Sequence, residues 1–319
     1  MGYWKVNSHT LARGRFAVSP LAETLAAVMT LRARRKDPGL EEWLRAHQRR
    51  FREYVDSDPF VPAFLDAAFH THWNADFVVQ PPLHADRTFH AELRHVRETP
   101  REVALRDLGV SRAQVRGTPL DVPDLTDRCA DVLEWVWSRT VRPDWPRRRA
   151  ILESDIVART HQLSTRGWAA ALDGMRPGMR WLGDGRLRIN AYDNPPRDIG
   201  DAELLFVPVT SRGGWVGWDE PHRYLITYPC SGVLVAQQPA TSSAALRRLL
   251  GPARAIVLAL LDAPRSTSQL VAVTGYGLGS VGGHLRVMLD AGLVRRRRSG
   301  RSVLYYRTPL GDDLVHSES

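Results

Sequence analysis

The sequence predicts an α+β fold in three parts, and three changes in the residue pattern support this prediction. Apolar residues recur at helical spacing up to about residue 175. From Met179 they alternate with polar residues, which is typical of strands. Helical spacing returns at Ala244 and gives way to an arginine-rich hairpin. We therefore expect a mainly helical region over residues 1–175, a small antiparallel sheet packed on it over 176–240, and a C-terminal domain over 241–319.

The composition is that of a globular protein. Of the 319 residues, 43% are hydrophobic and 25% are charged, which excludes a disordered or collagen-like chain. Only Cys129 and Cys230 are present, so a disulfide framework and a cysteine-only zinc site are excluded. Residues 1–9 lack the apolar core of a signal peptide, and the longest apolar run, Ile256 to Leu261, is too short for a membrane span. We expect a cytoplasmic protein without a membrane part.

The N-terminal region is predicted to be helical from its spacing and its helix-start signals. Ser19 and Pro20 have the residue types of an N-cap and a first helical position. Thr99 and Glu102 have the spacing of a capping box. Further helices are predicted over residues 40–55, 125–139 and 145–163. Between Asp56 and Pro100 the helical pattern breaks, and we expect a loop.

The β-rich segment carries one turn signal and three short strands. Asp184-Gly185 lies between two apolar pairs and favours a tight hairpin. Three strands are predicted over residues 204–209, 214–218 and 223–228, as in a small antiparallel sheet. The polar stretch Gln237 to Ser243 is the predicted boundary before the C-terminal domain.

The order of elements after this boundary is informative. Helices are predicted over residues 244–250, 252–261, 266–274 and 278–291. The last of them is ended by Gly292 and has a predicted buried face of Val281, Leu285, Met288 and Leu289. Two strands, 293–295 and 302–306, flank a turn at Ser299-Gly300. A helix, a turn, a second helix and a basic hairpin make a winged helix-turn-helix.

Positive charge is concentrated in this C-terminal domain. The chain has 44 basic and 35 acidic residues, a net charge of +9. From Ala244 onward, 11 arginines against five acidic residues leave +6. Most of this excess comes from the run Arg295 to Arg298, with Arg301 and Arg307 behind it. A solvated charged surface is one explanation, but the position of the run on a hairpin beside a helix-turn-helix favours contact with a polyanion.

The segment from Ser266 to Pro309 resembles the ArsR-type winged-helix transcription regulators. The stretches that carry the resemblance are Ala291–Val294 at the helix end, Ser299–Arg301 at the wing turn and Val303–Tyr305 in the return strand. Residues 15–21 and 307–311 are similar to the long members of that family, which have an uncharacterised N-terminal region. The resemblance implies a homodimer that binds operator DNA and represses transcription. In the metal-sensing members the ligands are a cysteine pair in the first helix of the turn, or Asp and His residues in a C-terminal helix. Here residues 270–273 offer no ligand and the tail past Leu310 has a single histidine, His316, so we expect no bound metal.

Six residues are predicted to contact double-stranded DNA because of the direction in which they face. Three lie on the outward face of the second helix of the turn, one at the start of the helix before it, and two on the wing. They are Ser280, His284, Arg286, Thr267, Arg298 and Arg301. A major groove about 12 Å wide admits such a helix while the hairpin reaches adjacent phosphates. No catalytic or cofactor motif is present, so we expect neither an enzyme nor a cofactor.

Two alternative interpretations concern the predicted DNA-binding domain itself. Gly277 to Gly282 has G-x-G-x-x-G spacing, as in dinucleotide-binding turns, although no acidic residue follows about 20 positions later. Gly279, Gly282 and Gly283 stand where the family usually has longer polar residues. Either the helix backbone approaches DNA closely, or the helix-turn-helix no longer reads DNA. In the second case the protein would be a protein-interaction or small-molecule sensing protein.

Two further alternatives concern the N-terminal region. Several histidines and aspartates cluster between His70 and His95, and these residue types can bind zinc. We favour surface loop residues, because their spacing matches no metal motif. All 10 tryptophans precede Asp219. We assign them to the core, while a pocket with flat apolar walls for a small-molecule effector remains the alternative.

Overall fold

The computed structural model describes most of the chain, and the predicted α+β class is confirmed. The described residues are 2–33, 40–70, 73–82, 88–109, 117–173, 175–190, 194–211, 213–230, 243–262, 264–274, 276–299 and 302–316. The chain forms two compact units. The first comprises Met1–Trp145 and Arg166–Cys230, and the second comprises Pro146–Thr165 and Ser231–Ser319. The predicted divisions near residues 175 and 240 remain predictions.

Helices make up most of the first unit before residue 145. They are α1 (Ser8–Arg13), α2 (Pro20–Arg32), α3 (Glu41–Ser57), α4 (Phe60–Ala68), α5 (Phe89–Arg97), α6 (Arg101–Asp107) and α7 (Leu125–Val136). A π-helical turn, Trp137–Val141, and a 3₁₀ turn, Arg142–Asp144, lead from α7 into α8 (Trp145–Leu172). Within α8, Gly167 has a φ of 75° that interrupts the helix.

The loop predicted between Asp56 and Pro100 is wrong, because α4 and α5 lie in this stretch. In α4 the buried residues Phe60, Val61 and Phe64 have helical spacing. Pro62 does not break the helix because it lies in the first turn, where its missing amide hydrogen has no partner to lose.

The helix-start signals have different outcomes. Ser19 is the N-cap of α2, as predicted, and its hydroxyl accepts a hydrogen bond from the Ala22 amide at 2.9 Å. The capping box at Thr99 is wrong. The Thr99 hydroxyl instead donates to the His95 carbonyl at 2.9 Å, at the end of α5, and α6 starts without a side-chain cap.

Two four-stranded sheets complete the first unit. One has the order β3-β4-β1-β5 and the other β2-β6-β8-β7. The strands are β1 (Tyr3–Lys5), β2 (Arg15–Phe16), β3 (Arg180–Trp181), β4 (Arg186–Arg188), β5 (Arg197–Asp198), β6 (Glu203–Val209), β7 (Val216–Asp219) and β8 (Arg223–Pro229). The predicted Asp184-Gly185 hairpin joins β3 to β4, and both turn residues have the positive φ that such turns require.

The prediction of an antiparallel sheet is wrong, because both sheets are mixed. β6 pairs with β8 and with β2 in parallel, and β1 pairs with β5 in parallel. The central strands β6 and β8 are buried along nearly their whole length. Burial on both faces is typical of parallel strands, and it accounts for the continuous apolar run Leu204 to Val209.

The second unit contains the predicted winged helix-turn-helix. Besides the Pro146–Thr165 part of α8, its described helices are α9 (Ala244–Leu250), α10 (Pro252–Ala259), α11 (Thr267–Thr274), α12 (Leu278–Asp290) and α13 (Pro309–His316). A small sheet has the order β10-β11-β9, formed by β9 (Arg265–Ser266), β10 (Val294–Ser299) and β11 (Ser302–Arg307). Gly292 ends α12 with a φ of 68°, and the amides of Gly292 and Leu293 bond to the carbonyls of Leu289 and Met288.

In the part of the chain that the structure describes, each helix is too short or too polar to cross a lipid bilayer.

Candidate nucleic-acid interface

The apolar core of the second unit fixes the orientation of α12. Val281, Leu285 and Met288 are at most 1% exposed and pack among buried residues of α10, α11 and β10. Leu289, also predicted to be buried, packs against the edge of the same core. Because these residues lie three and four positions apart, the opposite face of α12 is directed outward.

Two of the three residues predicted on that outward face, Ser280 and Arg286, are exposed, whereas His284 is half-buried. The Ser280 hydroxyl oxygen lies 3.2 Å from His284 Nε2, one helical turn away. The Tyr276 ring and the His284 imidazole are nearly perpendicular, at 72°, with ring centroids 6.5 Å apart. These contacts limit the orientations of two side chains that could reach base edges.

The glycines of α12 leave open space on the same side of the helix. A Cβ atom placed on Gly279, Gly282 or Gly283 would meet no atom within 4 Å apart from its chain neighbours and the backbone of its own helix. Packing within the chain therefore does not require glycine at these positions. A surface without side chains allows a close approach of the helix backbone to a ligand.

The start of α12 can also receive an anion. Gly277, its N-cap, gives no side-chain hydrogen bond to the first turn, and that turn has no acidic residue. Leu278, Gly279 and Ser280 are exposed. Backbone N–H groups at such a helix start are unpaired, and the helix dipole favours negative charge there.

The predicted wing forms a regular antiparallel hairpin. Arg295, Arg296, Arg297 and Arg298 lie on β10 opposite Tyr306, Tyr305, Leu304 and Val303 of β11. All four arginines are exposed. Since neighbouring residues of a strand point to opposite faces, two guanidinium groups lie on each face of the hairpin.

The remaining predicted contacts are less well placed. Thr267 begins α11 and is half-buried. Arg301, at the wing turn, lies outside the described residues. Of the two predicted wing contacts, Arg298 is therefore the one whose position the structure describes, near the far end of β10.

Two basic residues of this domain serve its internal structure. The Arg307 guanidinium donates to Asp312 Oδ1 at 2.7 Å and to the Leu258 and Ala259 carbonyls at 3.4 and 3.3 Å. Arg265 is 7% exposed and donates to the Leu260 carbonyl at 2.6 Å. Their charges count in the net charge of the domain but do not lie on its outer surface.

The geometry also excludes the dinucleotide interpretation. That fingerprint needs a strand before its first glycine. Here the segment before the turn, Thr267–Thr274, is a helix. Gly277 to Gly282 forms the start of a second helix, as in a helix-turn-helix.

Comparison with known proteins agrees with this assignment. Residues 253–296 match the family model described as bacterial regulatory protein, arsR family. This segment is an ArsR-family helix-turn-helix domain. The match runs from α10 into the first half of β10, so the ArsR-family domain includes the complete α12 and the start of the wing. The chain matches no curated protein and no solved structure.

The ArsR-family domain supports the coarse functional prediction. It indicates a DNA-binding transcription regulator whose nucleic-acid partner is double-stranded DNA. The match lies within one part of the chain, and residues 1–252 lie outside it.

Leu278 is a candidate contact that the sequence analysis did not select. Its side chain is 62% exposed at the first position of α12. An exposed leucine at this end of a recognition helix is suited to the methyl group of thymine. The sequence did contain a signal for its exposure, because Leu278 does not belong to the predicted buried face of Val281, Leu285 and Met288.

The histidine-rich stretch is dispersed in the structure. His70 lies at the rim of a cleft, His90 is exposed on α5, and His95 lies at the end of α5. His72, His84 and Asp86 fall outside the described residues. Among the residues described, no three His, Cys, Asp or Glu side chains come together as metal ligands would.

The tryptophans have mixed environments. Trp4, Trp137 and Trp215 are at most 6% exposed, as expected of core residues. Trp73 is 39% exposed. The core interpretation therefore holds for part of the set.

Proposed function

We propose that the protein is a transcription repressor that binds operator DNA as a homodimer, with α12 in the major groove and the β10–β11 hairpin on the adjacent phosphates. The observation that carries this proposal is the pairing of an outward α12 face of small and polar residues with four exposed arginines on the neighbouring hairpin. Arginines bind phosphate oxygens, and the exposed helix face can read base edges.

Two exposed leucines support dimer formation through α9 and α13, the helices on either side of the winged helix-turn-helix. Leu249 on α9 is 67% exposed and Leu310 on α13 is 54% exposed. Exposed apolar side chains are stabilised when a second copy covers them. A twofold-symmetric dimer would place two recognition helices on successive turns of the duplex, so we expect an inverted repeat with half-sites about 10 base pairs apart.

The first unit would then supply regulation. We assign it no catalytic role and expect it to bind an effector that changes the DNA affinity of the second unit. Such coupling requires that the effector bind one state of the protein more tightly than the other.

The test is selection of genomic fragments by the purified full-length protein, followed by anisotropy titration of the selected fragment and a scrambled duplex. Specific proteins bind their sites at least about 1,000-fold more tightly than other sequences. We expect such a ratio, a stoichiometry of two chains per site and loss of affinity with added salt.

The alternative is that the helix-turn-helix no longer reads DNA, and the glycine-rich α12 is the observation that favours it. This alternative predicts a different result. In that case no fragment would be enriched, and the selected and scrambled duplexes would bind equally weakly. Sedimentation of the free protein tests the dimer independently. A monomer at micromolar concentration, with one chain bound per site, would refute the twofold arrangement.

A further inference from the structure

A polar, tryptophan-lined cleft lies within the first unit. Its volume is about 470 Å³, within the ~300–1,000 Å³ range of small-molecule sites. It brings together segments that are far apart in the sequence, including β1, residues 73–76, residues 189–197 and β7.

One wall of the cleft is a connected polar network. The Arg197 guanidinium stacks on the Trp218 ring, 4.0 Å from its centroid, and forms an ion pair with Glu220. The Trp218 indole donates a hydrogen bond to the Asp76 carboxylate. The charge of Arg197 is therefore compensated, and Trp218 is held from two sides. Such a wall is rigid enough to orient a ligand.

Three more tryptophans line the cleft. Trp4 and Trp215 are buried, while Trp73 is partly exposed at its edge. Trp215 Nε1 is buried and has no hydrogen-bond partner among the described residues. A buried indole N–H usually has a partner. An acceptor oxygen on a bound molecule would provide one.

The other lining side chains combine hydrogen-bond donors with acceptors. Asn190 and Asn194 offer both, Asp76 offers acceptors, and Arg176 offers donors. Aliphatic side chains contribute little to the described lining. A flat hydrocarbon would offer these polar groups no hydrogen bond, and a strongly charged ligand would meet charges of both signs.

A neutral ring with several hydroxyl groups matches this lining. Each hydroxyl donates one hydrogen bond and accepts others, so it can pair with the asparagines, Asp76 and the arginines. The C–H faces of a sugar ring are weakly positive and pack against the negative faces of indole rings. The cleft is large enough for one or two sugar rings.

We propose that this cleft binds a neutral mono- or disaccharide, with indole rings packing against the sugar and Asp76, Asn190 and Asn194 binding its hydroxyl groups. As the effector of the second unit, this sugar would deepen the proposed function, and in that respect the inference rests on it. Binding of the sugar itself can be measured without DNA.

The experiment is calorimetric titration of the full-length protein with glucose, galactose, N-acetylglucosamine, maltose, cellobiose and lactose, and with adenosine as a flat heteroaromatic probe. The variants are Trp73→Ala and Asn194→Ala, both at exposed lining positions. Leu182→Ala is the matched control, because Leu182 is 40% exposed and does not line the cleft. Thermal melting of each variant verifies that it is folded.

We expect at least one sugar to bind saturably, with affinity reduced tenfold or more in Trp73→Ala and in Asn194→Ala and unchanged in Leu182→Ala. Binding of no sugar, binding of adenosine alone, or sugar binding that survives both cleft substitutions would overturn the proposal. Sugar binding without any DNA binding would refute the proposed regulator and leave the cleft assignment intact. DNA binding without sugar binding would refute the cleft assignment and leave the proposed regulator intact.

Discussion

Ser280 and His284 form a hydrogen-bonded pair on α12, with 3.2 Å between the hydroxyl oxygen and Nε2. The pair lies one turn apart and next to the open surface of Gly279 and Gly283. Which partner donates depends on the imidazole tautomer. In the proposed complex, the two side chains would together present a donor and an acceptor to a base edge.

Replacing either member of this pair should reduce sequence-specific DNA affinity. For Ser280→Ala and for His284→Ala we expect a loss of about 1–3 kcal/mol on the selected operator, with little change on a scrambled duplex. Because the side chains contact each other, the double variant should lose less than the sum of the two. Anisotropy titrations of the two duplexes measure this. Equal losses on both duplexes would mean that the pair does not read bases.

Replacing wing arginines should weaken binding to all sequences alike. For Arg296→Ala and Arg298→Ala we expect lower affinity for the operator and the scrambled duplex. The slope of log K against log salt should also decrease by about 0.9 for each phosphate that the variant no longer neutralises. The control is Arg52→Ala, which removes an exposed arginine from α3. If the control changes the slope as much as the wing variants do, the effect is one of net charge and not of the wing arginines.

Replacing the glycines of α12 by alanine should stabilise the fold and weaken DNA binding. Gly282→Ala and Gly283→Ala should each raise the free energy of unfolding by about 0.5–1 kcal/mol, because a Cβ meets no atom there. DNA affinity should fall in the same variants if the backbone lies against the duplex. As a contrast, Gly311→Ala should destabilise the protein, because its Cβ would clash with the Leu293 carbonyl oxygen. Undiminished DNA affinity in both α12 variants would show that the helix does not approach closely.

Arg307→Ala should affect folding and not the salt dependence of DNA binding. Its side chain is 8% exposed and bonds to Asp312 and to two carbonyls of α10. Loss of these bonds should lower the free energy of unfolding by about 2 kcal/mol. Denaturation in urea measures the change, and the salt slope of the folded variant should equal that of the wild type. A reduced slope would place Arg307 in contact with phosphate.

Asp76 should make stability depend on pH in one direction. Burial, and then the nearby Asp107, raises the pKa of Asp76 from 3.8 to about 6. The folded protein therefore binds a proton more tightly than the unfolded chain. The resulting stabilisation is fully present below pH 3.8 and is lost as pH rises through 6.

The measurement is the difference in unfolding free energy between the wild type and Asp76→Asn at several pH values. Relative to the variant, the wild type should become less stable between about pH 4 and pH 7, by on the order of 1 kcal/mol after allowance for solvent screening. A difference that does not change with pH would mean that Asp76 ionises at its usual pKa in the folded protein.

The sequence by itself determined the elements whose signals are local. Helical spacing and the Ser19 cap located α2, the Asp184-Gly185 turn located a hairpin, and Gly292 located the end of α12. The outward direction of Ser280 and Arg286 followed from the buried face of the same helix. Signals of this kind succeed because each depends on interactions within a few residues along the chain.

Tertiary structure alone decided the features that depend on distant partners. The parallel pairing of β6 with β8 joins strands whose order in the sheet differs from their order in the chain. The internal role of Arg307 depends on carbonyls almost fifty residues away. The cleft collects Trp4, Trp73 and Trp218 from separate segments. No local pattern specifies which distant residues meet, because long-range packing selects among many arrangements that satisfy the same local preferences.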